Sequence, residues 1–435
     1  MTWEYRHAAT ERTVHGRMST SSASPISATA KRAVLIVALV QLVNVLDFMM
    51  VLPLGPDFSK SLAIDPADIG IIGGSYTAAA AVAGLLGAEF LDRFGRRRAL
   101  TGAMLGLSLA TIAGGLSWNL TSLVASRIAA GMFGGPATAI SLAIVTDLVP
   151  ASHRGRAMSI ASAAFPVASV FGIPAGLALS RLGGWHIPFF AIGALGLALT
   201  AVAATTLPAL RAHLGHGGTR PPRNPAMYFL RQPEMRSVLL AVGTMTFSIF
   251  LLVPNLAVYL AGNLQVPRSD LEWMYLIGGV TAFAMMMIAG RVVDRFGSAP
   301  MSATGTLMLM SAVAVGFVTT PPLVPVAVFF AMFMASGSMR QVPLQALASR
   351  LPAPAERAQF MALMSATSHT MSSLGAFVAS RILRSHTTVI NHVPVQLLER
   401  MNWLATATLC IAIPVPFLIW RAERLLKRRT ATSPP

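Results

Sequence analysis

Charge is scarce in this chain. Of its 435 residues only 11% are Asp, Glu, Lys or Arg, where an ordinary soluble domain carries about 25%. So little polar surface excludes a water-soluble globular protein. Cysteine is scarcer still: Cys410 is the only one, which excludes an internal disulfide and leaves the redox compartment open. Also missing are a Gly-rich phosphate loop, a His/Cys cluster with metal-ligand spacing and a nucleophile elbow. No enzyme, no cofactor and no bound metal are therefore expected, and any work must draw on a gradient. Acidic residues number 16 against 33 Lys and Arg, a formal charge of +17. A nucleic-acid binder would gather that charge on one face of a soluble fold. Here the arginines lie in short loops between apolar runs, so no nucleic-acid partner is expected.

What the chain has in abundance is hydrophobic residues, 54% of the total. The runs AVLIVALVQLVNVLDFMMVLPLG from Ala33 and IPFFAIGALGLALTAVAATTL from Ile187 each exceed the ~18 residues that mark a membrane-spanning helix. Apolar segments divided by charges, Pro/Gly clusters and polar turns predict twelve helices: 33–54, 69–91, 99–117, 120–148, 157–180 and 187–208, then 237–261, 270–290, 300–319, 323–349, 357–380 and 402–420. Residues 1–32 read as a disordered tail and 422–435 as a second tail. The stretch 209–236 reads as a linker, since its glycines, prolines and arginines cannot continue a membrane helix. The first apolar run is too long for a signal-peptide core, so it is expected to be retained.

An even number of spans puts both termini on one side. The tails and alternate loops carry 25 of the 33 Lys and Arg, while the opposite loops carry six: Lys60, Arg181, Arg268, Arg381, Arg384 and Arg400. Cytoplasmic loops retain Lys and Arg, so both termini are expected to be cytoplasmic and the protein multi-pass in the cytoplasmic (inner) membrane.

A repeat divides the chain. The tetrapeptide DRFG at Asp92–Gly95 recurs at Asp294–Gly297, a shift of 202 residues. The same shift carries Leu62 onto Leu264, Asp68 onto Asp270 and Pro150 onto Pro352. Agreement at one offset argues for duplication. The expected fold is an all-α membrane protein, with twelve transmembrane helices in two pseudo-symmetric six-helix bundles, 33–208 and 237–421, related by an axis along the membrane normal.

These residues resemble the major facilitator superfamily. LDRFGRRRAL is similar to its signature between helices 2 and 3, through Asp92, Arg93, Gly95, Arg96 and Arg97; the usual glycine four residues before the aspartate is Ala88 here and Gly290 in the second copy. RIAAGMFGG resembles the helix 4 signature through Arg127 and Gly131. LDFMMVLP, Leu46–Pro53, is similar to the helix 1 pattern of proton-coupled drug and sugar exporters of the arabinose-efflux-permease type. In helix 5, GIPAG (Gly172, Pro174, Gly176) only loosely matches the antiporter signature. The resemblance implies proton-coupled efflux of a small organic compound, such as a drug or sugar, by alternating access. Two other readings stay open: a proton symporter importing a metabolite, and a non-transporting receptor or scaffold on the same fold. The expected partners are a small-molecule substrate, protons and membrane lipid, in a monomer.

Ionisable residues inside spans are costly and so are functional candidates. Asp47 in helix 1 and Arg127 in helix 4 lie at similar depth, about eight residues from one end of each helix, and could face one another. Apolar surroundings raise the proton affinity of a carboxylate and a nearby arginine lowers it, so relative movement of the two would switch proton binding. The alternative is a permanent ion pair that holds two helices together. The second half has Ile249 and Phe329 at the equivalent positions, which confines such a site to the first half. Candidate substrate contacts are Gln41 and Asn44 on helix 1, Asn255 beside Pro254 on helix 7, Arg340, Gln341 and Gln345 on helix 10, and His369 in the stripe SATSHTMSS of helix 11.

At the cytoplasmic turns, Arg96, Arg97 and Arg98 are expected near anionic lipid, where each basic residue contributes ~1 kcal/mol. The resemblance further implies a cytoplasmic gate in which Asp92 pairs with Arg156 and Arg93 with Asp147, with Asp294, Arg295 and Gly297 as the second copy. An anchor that does not switch is the alternative.

Overall fold

The computed structural model describes residues 27–91, 94–209, 225–319, 322–352, 356–390 and 392–432. Within these lie twelve long helices. The first bundle holds α1 (Ala28–Leu62), α2 (Ile69–Leu91), α3 (Arg96–Gly115), α4 (Leu120–Leu148), α5 (151–183) and α6 (His186–Thr206). The second holds α7 (Pro233–Gly262), α8 (Arg268–Phe296), α9 (Ser298–Val318), α10 (Val326–Arg350), α11 (Arg357–Ile382) and α12 (401–432). Among the described residues, eight of the helices meet both the length and the hydropathy needed to cross a membrane.

Helix ends follow local chemistry. The Ser27 side chain accepts the Ala30 N–H at 3.1 Å, so α1 begins at Ala28, inside the segment expected to be a tail. Asn119 and Ser122 cap each other's backbone N–H groups at the start of α4, satisfying donors that a helix leaves open. Gly297 takes φ +93°, a conformation that disfavours any side chain, and turns α8 into α9. The other tail is also shorter than expected, because α12 continues to Thr432. Part of the linker is ordered too: a short helix, Pro225–Arg231, inserts Phe229, fully buried, against Phe360 of α11. Residues 1–26, 210–224 and 433–435, expected as tail and linker, lie outside the described residues.

One element among the described residues is not helical. Between α11 and α12 the chain forms an antiparallel hairpin, β1 (Arg384–Ile390) and β2 (Val393–Glu399), paired Arg384 to Glu399 through Ile390 to Val393. Its β-branched residues favour extended backbone. The Asn263 side chain then clamps β2, donating to Leu398 O at 2.8 Å and accepting Leu398 N–H at 2.9 Å.

Several spans are broken, and one pair of breaks obeys the repeat. In α1 the helix tightens at Leu52–Leu54, around Pro53; in α7 it tightens at Val253–Asn255, around Pro254. These breaks lie about one 202-residue shift apart and pack against each other. Both breaks lie about eight residues from the distal ends of their helices. A further irregularity, a wide turn at Ala168–Gly172 of α5, sits between Pro166 and Pro174.

Packing differs between the two ends of the molecule. At the face distal from the termini one apolar core runs through both bundles, joining Leu54, Phe58 and Ile72 to Leu252, Leu256, Tyr259 and Leu271. At the face that carries the termini the cores are separate, one around Val37, Leu100 and Ile144 and another around Leu239, Phe360 and Ile419. Glycines show the same gradient. A Cβ on Gly70 of α2 would stand 2.8 Å from Ala376 O of α11, and one on Gly279 of α8 would stand 2.5 Å from Ser169 O of α5. Farther along the same helices, Gly84 and Gly290 would meet nothing within 4 Å. The bundles are closed together distally and splayed at the terminal face.

Candidate functional site: a buried ion pair and a polar floor beneath the distal closure

Asp47 is fully buried in α1. Its Oδ1 accepts a hydrogen bond from Arg127 Nη1 at 3.0 Å and another from Thr111 Oγ1 of α3 at 2.7 Å, while Oδ2 has no partner. Arg127, 1% exposed, lies over the Phe189 ring of α6 at 5.1 Å, and its Nε and Nη2 are unpartnered. The pair is thus enclosed by α1, α3, α4 and α6, and three of its five polar side-chain atoms have no partner. A buried pair with such incomplete satisfaction gains less than its desolvation costs, so stability does not account for its presence.

Small residues make the enclosure possible. A Cβ on Gly172 would overlap Leu46, and one on Gly176 would stand 3.1 Å from Met50 Cγ, so the glycines of GIPAG seat α5 against the α1 turn that carries Asp47. On α4, a Cβ at Gly134 would stand 2.5 Å from Tyr76 Oη and 2.7 Å from Asn44 Oδ1.

Asn44 sits at the centre of a second network, one turn from Asp47. It accepts from Tyr76 Oη at 2.7 Å and donates to Gly134 O at 2.7 Å and to Thr138 Oγ1. Phe48 lies 5.3 Å from Tyr76 and 6.3 Å, stacked, from Phe250 of α7, so these rings span the two bundles. Thr111, Tyr76 and Thr138 were not singled out in the sequence, because Thr and Tyr raise no hydropathy signal inside an apolar run. Gln41 is buried on the same helix.

In the second bundle the candidates separate. Gln341 and Gln345 are exposed, on the α10 face where a Cβ at Gly337 would meet nothing within 4 Å. Arg340, one residue away, is fully buried and turned toward α9, so it does not share their face. Asn255 is fully buried in the α7 break with both side-chain atoms unpartnered. His369 is half-buried on α11, one residue from Ser368, which lies 3.3 Å from Thr246 of α7.

At the terminal face, Asp147 pairs with Arg96 at 3.3 Å, and Arg97 Nη1 donates to Leu207 O at 3.2 Å. Arg156 is exposed. Asp92 and Arg93 lie outside the described residues. In the second copy Asp294 lies 3.5 Å from Arg350, Arg295 stacks on Phe296, and Gly297 abuts Glu423.

The ion pairs that bridge the bundles lie at the opposite face, among residues the sequence left as ordinary loop charges. Arg268 of α8 forks onto Asp57 of α1, Nε to Oδ1 at 3.0 Å and Nη2 to Oδ2 at 2.5 Å, and also donates to Ser180 of α5 at 2.9 Å. Arg181 Nε lies 2.7 Å from Glu272 Oε1, a charge contact whose angle falls outside hydrogen-bond geometry. In the loop just before α2, burial, then the neighbouring Asp65, pushes the Asp68 carboxyl above its ordinary value against the opposing pull of Arg381.

The sequence matches the Major Facilitator Superfamily model over residues 37–376 and again over 238–434. The chain belongs to that superfamily. It is therefore a multi-pass membrane transporter rather than an enzyme. It is similar to the chloramphenicol resistance protein of Streptomyces lividans, 27% identical over 290 residues, 65% of this chain and 72% of that protein. A chloramphenicol efflux pump of Mycobacterium tuberculosis is 28% identical over 278 residues, 61% of this chain and 65% of the pump, slightly under two thirds of its length. Among solved structures, a D-xylose-proton symporter superposes with a TM-score of 0.71 at 17% identity, covering 89% of this chain and 96% of that one. A bacterial Spinster homologue in an inward-facing, unoccupied conformation gives 0.69 at 16% identity, covering 92% and 98%. At such identities the likeness establishes the fold, that of the twelve-helix superfamily transporters.

Proposed function

We propose that this chain is a proton-coupled exporter of a small organic compound in the cytoplasmic membrane, with both termini cytoplasmic and working as a monomer by alternating access. The observation that carries the coupling is the enclosed Asp47–Arg127 pair with a free carboxylate oxygen. With the termini inside, the structure is an inward-open state: the distal face is sealed by core packing and two ion pairs, and the substrate path opens to the cytoplasm beside Gln341 and Gln345. The coupling step is a shift of α1 against α4 within the first bundle as the two bundles rock, which separates Asp47 from Arg127 and leaves the carboxylate to bind a proton in place of the arginine. The direction of transport draws support from the two relatives named for chloramphenicol resistance and efflux. Import is the second reading, since the same buried pair would serve either direction. The test is a proton flux assay in inverted vesicles with chloramphenicol as the first probe. Export requires drug to enter the vesicles as protons leave; co-directional movement selects import, and no coupled movement with any substrate selects a receptor or scaffold.

Orientation has its own check. Cysteines at Ser61 and Arg220, in a background lacking Cys410, should label from outside and inside respectively. The reversed pattern would overturn the orientation.

The terminal-face latch is the weakest of the expected effects. We infer that Asp92 with Arg156 and Arg93 with Asp147 bias the closing of the cytoplasmic side, Asp147 turning to Arg96 while that side is open. Exposed pairs contribute at most ~1 kcal/mol each. Asp92→Asn should therefore slow transport a few-fold while leaving insertion intact, read by spin-label distances between the inner ends of α4 and α10. An unchanged distribution would mean that the charges only anchor the loop.

A further inference from the structure

Among the described residues the most isolated charge is Arg340. Its side chain is fully buried in the second bundle, and none of its three guanidinium nitrogens has a hydrogen-bond partner among the described residues. This differs from Arg127, whose neighbouring Asp47 supplies a counter-charge. The acids of the second bundle are engaged elsewhere. Asp294 lies against Arg350, Glu423 takes the Ala299 N–H and Lys427, Glu234 takes Arg429, and Glu356 takes Tyr228. Asp270 and Glu272, at the start of α8, and Glu399, at the end of β2, belong to the distal face. A buried arginine without a counter-charge is strongly unfavourable, and in a membrane span it is kept only with a partner.

The surroundings indicate what that partner is. Gly305 of α9 brings its backbone onto α10, so that a Cβ there would stand 2.7 Å from Met339 Cβ and 3.1 Å from Arg340 Cγ. Ser302 and Thr306 share that α9 face, three positions before Gly305 and one after. Both are buried, and both hydroxyls are unpartnered. The nearby Thr304, by contrast, donates to the Met301 carbonyl at 2.9 Å, the usual resort of a helical hydroxyl. Depths agree as well: Thr306 lies eight residues from the start of α9, about 12 Å, and Arg340 ten from the end of α10, about 15 Å from the same face.

We propose that Arg340, Ser302 and Thr306 hold a small inorganic anion of chloride size between α9 and α10. The group supplies the missing charge and acceptors at once. Enclosure sets its size, since Arg340 and Ser302 are 0% and Thr306 3% exposed, which leaves no opening for a drug-sized acid. The site lies inside one bundle, on the opposite side of α10 from Gln341 and Gln345, and its role is to fix α9 against α10 as that bundle rocks. It does not depend on the direction of transport or on the proton pair.

The test uses the full-length protein in detergent, comparing thermal unfolding in sodium chloride and sodium gluconate at equal ionic strength. Chloride should raise the wild-type midpoint by several degrees, and bromide should do the same. Arg340→Met should abolish that difference and be no less stable than wild type in gluconate. Should Arg340→Met fail to fold, Ser302→Ala/Thr306→Val tests the same site: it keeps the arginine and should raise the chloride concentration for half-effect about tenfold. Crystals grown with bromide should show anomalous density beside the guanidinium. The proposal is overturned by an undiminished chloride effect in Arg340→Met, by a wild-type midpoint concentration in the double variant, or by no chloride effect in the wild type. An Arg340-dependent shift produced by an acidic transport substrate in gluconate, with none from chloride, would replace it with a substrate site.

Discussion

Asp47→Asn is expected to reduce proton-driven accumulation to the level of empty vesicles, while substrate exchange across the membrane without a gradient persists. The carboxylate is the one group in the enclosed pair that can gain a proton, and its Oδ2 is unoccupied. Asparagine keeps the shape and the acceptor for Thr111 but cannot titrate. It also leaves Arg127 buried without a counter-charge, which costs about 3–5 kcal/mol when one partner of a buried pair is removed. A simple loss of folding must therefore be separated from a loss of coupling. Asp47→Asn/Arg127→Gln removes both charges and should recover most of the thermal stability without recovering coupling. If the double variant regained gradient-driven transport, or if Asp47→Asn retained it, the pair would be structural only. Thr111→Val offers a graded check: it strips one hydrogen bond from Oδ1, should leave folding intact, and should shift the pH midpoint of transport rather than abolish it.

How much of this was visible beforehand depended on whether a residue violated its surroundings. Asp47 and Arg127 stood out because a charge in an apolar run is costly, and the structure places them in contact. The doubled DRFG and the hydropathy of the runs gave twelve helices to within a few residues in most cases. Thr111, Tyr76 and Thr138 were invisible, since hydroxyls satisfied within or between helices fit an apolar run without a signature. Arg340 was visible as a charge, yet its surroundings were not. Neighbouring positions on a helix differ by 100°, and only packing shows that position 340 faces α9 while 341 is open. The hairpin was missed for another reason: its strands are short, partly polar and bounded by arginines, so they read as loop.

The second large effect is expected at the distal closure, where the pairs Arg268–Asp57 and Arg181–Glu272 join charges that look, in sequence, like ordinary loop residues. Asp57 and Arg268 are each about one quarter exposed, 25% and 27%, so solvent screens them and the pair is worth little more than a surface bridge, about 1 kcal/mol. The bidentate geometry and the third contact to Ser180 raise that somewhat. A transporter whose two states are nearly balanced responds to such small terms, because 1.4 kcal/mol changes a population tenfold. Arg268→Ala should thus shift the ensemble about fivefold toward a distally open state, and Arg268→Ala/Arg181→Ala further still. Spin labels at Ser61 and Ser269, both exposed at this face and on opposite bundles, would report a new long-distance population. The exchange Asp57→Arg/Arg268→Asp should restore the short distance, which a merely unfolded loop would not do. An unaltered distribution in the double alanine variant would mean that packing at Gly70, Gly74 and Gly279 holds the face closed alone. In that case Gly70→Val, which forces a side chain against Ala376 O and the Ser380 hydroxyl, should open the face where the charge changes did not.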